Sequence, residues 1–119
     1  MKHLLALSLT WTLCTAAFAD EPIVESVTTE RAGMGWRISV TLSHPDSGWD
    51  HYADGWEVLD RQGNSLGYRE LMHPHVQEQP FTRSLFDVMV PDGERVIFIR
   101  PSCSTKGWSK TLMRVELKR

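Results

Sequence analysis

Trp36-Arg37-Ile38-Ser39-Val40-Thr41-Leu42-Ser43 alternates without a break. Trp36, Ile38, Val40 and Leu42 fall on one side of the chain, and Arg37, Ser39, Thr41 and Ser43 on the other. Successive side chains of an extended backbone point to opposite faces, so this stretch predicts a strand with one buried and one wet face. The same logic extends outward along the chain. Trp56–Asp60 and Ser65–Leu71 are β-like runs around Arg61-Gln62-Gly63-Asn64, a short polar turn, and predict a hairpin. Phe81–Val90 predicts a strand with Phe86, Val88 and Val90 on one face, followed by a turn at Pro91-Asp92-Gly93. Arg95–Arg100 is β-branched and apolar, as expected of a central strand covered on both faces. Leu112–Lys118 alternates again, and Ile23–Thr29 predicts an edge strand.

Short strands separated by turn signals, with no helical period, predict an all-β protein: a seven-stranded antiparallel immunoglobulin-like β-sandwich. At the level of pattern, the chain resembles small exported bacterial proteins of immunoglobulin or fibronectin type III kind, to which no activity attaches. Trp56, on the third predicted strand, matches the core tryptophan of such domains. The paired cysteines of antibody domains have no counterpart. The resemblance implies a fold and no particular chemistry.

The chain has 119 residues. Lys2 and His3 precede an apolar run from Leu4 to Phe18, too short for a comfortable membrane span. Ala17-Phe18-Ala19 fits a small-x-small cleavage pattern. Residues 1–19 are therefore read as a cleaved signal peptide and 20–119 as one β-sandwich domain. Leu13 and Trp11 stand where a lipid-anchored leader would carry small residues before Cys14. The expectation is a periplasmic or secreted protein with no membrane association after cleavage.

The formal charge of the whole chain is −2, and loss of Lys2 makes the processed chain slightly more acidic. There is no basic tail or basic helix, so nucleic acid is not expected as a partner. Charge is uneven: Asp46, Asp50, Asp54, Glu57 and Asp60 cluster without a lysine or arginine between them, while residues 95–119 are strongly basic. Cys103 is the one cysteine left after processing, which excludes an internal disulfide.

Alternating strand directions sort the connections between the two ends of a sandwich. Glu30–Gly35, Arg61–Asn64 and Pro91–Glu94, all short, share one end. Ser43–Gly55, Met72–Pro80 and Pro101–Thr111, all long, share the other, and long connections tend to carry function. The long-loop end collects His44, His51, His73, His75, Cys103, Trp49, Tyr52 and Trp108.

Within it, His73-Pro74-His75 predicts two imidazoles on one side of an extended segment, since proline biases the preceding residue toward extended backbone. With His51, Cys103 or Met72 as further ligands, this donor set suits copper or zinc. Glu78 follows in the same loop. Trp49, Tyr52, Asp54, Glu78 and Trp108 are the candidate contacts for a small molecule or protein, aromatic faces stacking while carboxylates fix polar groups. Cysteine-dependent catalysis at Cys103 is the third reading, and a small sandwich without a deep pocket argues against it. The sequence thus points to a non-catalytic binding module in the cell envelope, with a metal-binding protein using His73, His75 and His51 as the alternative.

Overall fold

A computed structural model describes residues 21–118. The expected leader and its cleavage site lie outside the described residues. The strands are β1 (Ile23–Ala32), β2 (Gly35–Ser43), β3 (Ala53–Leu59), β4 (Ser65–Glu70), β5 (Phe81–Val88), β6 (Val96–Cys103), β7 (Gly107–Trp108) and β8 (Met113–Glu116). They form two antiparallel sheets. One has the order β1-β2-β5; the other has the order β4-β3-β6, with both β7 and β8 paired to the far side of β6. No helix among the described residues is long and apolar enough to cross a membrane.

Alternation in β2 places Trp36, Ile38, Val40 and Leu42 in the layer between the sheets. They meet Trp56 and Val58 of β3, Ile97 and Ile99 of β6, and Phe81 and Val88 of β5. Each buried side chain of this size contributes roughly 1.5–3 kcal/mol by leaving water, so these facing rows hold the sheets together. β6, the most apolar strand, is central as its composition predicts, flanked by β3 on one side and by β7 and β8 on the other.

Two local departures from the sequence reading have clear causes. Phe86 does not share a face with Val88: it is exposed, while Val88 is buried. The register between β2 and β5 shifts between the pairs Trp36↔Val88 and Ile38↔Leu85, so β5 carries one extra residue there. Asp87 absorbs it with φ 57°, a left-handed conformation that aspartate tolerates better than most residues. The bulge turns Phe86 outward, where the Arg37 guanidinium lies 5.4 Å from its ring centre. Gly35 sits opposite, and a Cβ there would lie 3.2 Å from the Asp87 backbone.

The second departure concerns the end of the chain. The segment expected as a long loop, Pro101–Thr111, instead continues β6 to Cys103, turns, and returns as the two-residue β7. β8 then pairs with the first half of β6. β7 is thus a short extra strand inside the expected loop, which gives eight strands among the described residues where seven were expected.

Candidate metal centre

The β2–β3, β4–β5 and β6–β7 connections lie together at one end, and hydrogen bonds tie them to one another. Ser104 N donates to Tyr52 O at 2.9 Å, and Tyr52 N donates to Ser104 Oγ at 3.0 Å. His44 N donates to Gln79 Oε1 at 3.0 Å. Leu71 N donates to Asp54 O at 3.0 Å. The β2–β3 loop also folds back on itself: His51 N reaches Gly48 O at 3.1 Å and Ser47 N reaches His51 O at 3.0 Å. This turn holds Trp49 and Asp50 at its tip and brings His51 back toward the start of β3.

Register does the rest. Ala53 pairs with Cys103 across β3 and β6. His51 lies two residues before Ala53, and His44 lies just beyond the end of β2. One ligand-capable atom from each of His44, His51 and Cys103 lies within 4.8 Å of the others. His44 and Cys103 are buried and His51 is half-buried. The His44 and His51 rings meet edge to face, with centroids 4.9 Å apart. His51 Nε2 is buried and makes no hydrogen bond. A buried polar atom without a partner carries a desolvation cost that a bound ion would offset.

Asp46 organises this end. Its Oδ1 accepts from His44 Nδ1 at 2.5 Å and from Ala53 N at 2.9 Å, and its Oδ2 accepts from His75 N at 2.8 Å. One buried carboxylate therefore joins the β2–β3 loop, the start of β3 and the β4–β5 loop. A carboxylate on the Nδ1 side sets that nitrogen as the proton-bearing one, so any coordination by His44 would run through Nε2.

His73 and His75, the histidines that spacing singled out, are placed differently. Their rings do lie close, at 4.6 Å between centroids, but neither joins the group of His44, His51 and Cys103. His75 stacks on Phe81 at 3.9 Å and 9°, and its Nε2 faces Arg83 Nη2 at 2.9 Å. A guanidinium has only donors, so it occupies the His75 lone pair and places positive charge where a cation would have to sit. His73 is exposed, with Nδ1 3.2 Å from Pro74 O. Met72 is 66% exposed.

The other candidates divide between two places. Trp49, 68% exposed, meets Tyr52 at 5.7 Å at the loop tip. Trp108 lies on the outer face of the larger sheet, 5.9 Å from Tyr68 and under the Arg100 guanidinium at 4.6 Å. Arg100 also pairs with Glu57. Asp54 accepts from Ser102 Oγ at 2.5 Å, a bond between neighbouring strands. Glu78 is exposed and 3.6 Å from Arg83. His44 was visible in sequence as one of the end's histidines. What marks it as a candidate ligand is Asp46 two residues on, a pairing whose geometry only the turn between them creates.

Burial, and next the charges of Arg83 and His73, hold His75 below the ordinary imidazole value of 6.5, against opposing contributions from Glu78 and Asp46. The unfolded chain therefore takes up this proton before the folded one does. Stability should be unaffected by this group above about pH 6.5 and should decline as pH falls below it. Urea midpoints measured from about pH 7 to about pH 5 should show this slope, and His75→Phe, which keeps a ring against Phe81, should flatten it. An unchanged slope would remove His75 as its source.

No protein-family model matches the chain, and no solved structure matches it. A protein of Halomicrobium mukohataei named "Putative lipoprotein" is 41% identical over 97 residues, which are 81% of this chain and 47% of that protein. The chain spans about half the length of this curated relative.

Proposed function

We propose that this protein is an exported, non-catalytic β-sandwich of the cell envelope whose long-loop end binds a transition metal through His44, His51 and Cys103. The observation that carries the reading is the convergence of these three donors within 4.8 Å, two from the β2–β3 connection and one from the end of β6. Two imidazoles and a thiolate form a donor set for late first-row metals and not for magnesium or calcium, which take oxygen ligands. Export is supported by the leader-like start of the sequence and by the relative named as a lipoprotein. The sheet order β1-β2-β5 against β4-β3-β6 supports the immunoglobulin or fibronectin type III kind of sandwich. The exposed Trp49 ring favours a second reading in which the same end also contacts a protein or small molecule.

Elemental analysis after dialysis of the full chain against zinc or copper should find one ion per chain. Binding should be lost in His51→Ala and in Cys103→Ser and kept in His73→Ala. Loss in His73→Ala alone would move the site to the His73-Pro74-His75 segment. No stoichiometric metal in the parent chain would end the metal reading.

A further inference from the structure

We infer that the ion this site is built for is copper, held by the Cys103 thiolate and two imidazoles, in preference to zinc. The inference rests on the metal reading above and concerns which metal that site selects.

The first argument is the number of donors. The group of His, Cys, Asp and Glu side chains at this end holds three members among the described residues. Structural zinc sites take four protein ligands in a tetrahedron, so zinc held here would need a water as its fourth ligand. A trigonal set of two histidines and one cysteine is the arrangement that copper accepts.

The second argument is the position of Asp46. A carboxylate stands beside His44, and an oxygen donor would make the set more suitable for zinc and harder ions. Both of its oxygens are instead committed, Oδ1 to His44 Nδ1 and Ala53 N, Oδ2 to His75 N. Asp46 therefore orients a ligand without becoming one, and the donors that remain are two nitrogens and a sulfur.

The third argument is the surroundings of the sulfur. Cys103 is 1% exposed, and its Sγ lies 3.3 Å from Thr105 Oγ1. The threonine hydroxyl is placed to hydrogen-bond the sulfur, the outer-shell contact that tunes a copper-bound cysteine. The strand pairing Ala53↔Cys103 and the cross-loop bonds between Tyr52 and Ser104 hold His51 and Cys103 in place.

The test uses the full chain under anaerobic, reducing conditions. Monovalent copper is titrated against a chromophoric copper chelator in the presence of a zinc excess, and divalent copper is added to a separate sample freed of reductant while the visible spectrum is recorded. The expected result is one monovalent copper per chain retained despite the zinc, and an intense thiolate-to-copper charge-transfer band on adding divalent copper. Both signals should be lost in Cys103→Ser, whose fold is checked by circular dichroism. Zinc displacing copper, or a Cys103→Ser chain that still holds copper as tightly as the parent, would overturn the copper assignment and leave a metal site standing. Binding of neither metal would overturn the metal reading itself.

Discussion

Trp56→Ala should destabilise the protein by about 3–5 kcal/mol, the range for truncating a large buried aromatic. Trp56 has no exposed surface and sits among Trp36, Val58, Ile97 and Ile99 where the two sheets meet. Its indole Nε1 has no hydrogen-bond partner among the described residues, so the ring contributes through packing and not through a polar anchor. Removing it leaves a cavity that the close-packed neighbouring side chains can fill only in part. Small domains have only about 5–15 kcal/mol of stability, so the variant should approach the unfolding threshold. Equilibrium urea denaturation measures this directly. His73→Ala is the contrast: the ring is exposed, and surface substitutions of this kind usually stay within about 0.5 kcal/mol. If the two variants lost similar stability, His73 would be a packing residue and its solvent-facing placement would be wrong.

Asp46→Ala should be comparably damaging for a different reason. Its carboxylate takes hydrogen bonds from the His44 ring and from two backbone amides, those of Ala53 and His75. Alanine would leave these buried donors without an acceptor, and each such loss costs about 1–3 kcal/mol. The summed effect should be about 3–5 kcal/mol, the range for breaking a buried charged network by removing one partner. Asp46→Asn preserves size and keeps one acceptor oxygen, so it should fold. It should still weaken metal binding by about 10–100-fold, because an amide no longer fixes the His44 tautomer as a carboxylate does. Urea unfolding of both variants, with metal affinity for Asp46→Asn, separates the two roles. An Asp46→Asn chain with unchanged affinity would make Asp46 a structural tie between loops and nothing more.

Both residues show where sequence patterning is informative. The alternation of Trp36, Ile38, Val40 and Leu42 states a buried face directly, because the side-chain period of a strand is two whatever lies beyond it. Trp56 follows from the same rule. Asp46 has no such rule. It lies in a loop among several acidic residues, and nothing local separates it from Asp50 at the exposed turn.

The sequence by itself determined the all-β class, most of the strands, and the collection of histidines and Cys103 toward one end. These follow from chain-local properties: side-chain alternation, turn residues and the direction reversal between successive strands. Only the tertiary structure decided which of those histidines meet. The pairing of Ala53 with Cys103 brings His51 to the sulfur, Asp46 turns His44 toward them, and Arg83 occupies His75. The bulge at Asp87 likewise reverses Phe86 against its own alternation. Each of these depends on inter-strand register or on a side chain from a distant segment. A one-residue change in register moves every partner, and local pattern carries no information about which register wins.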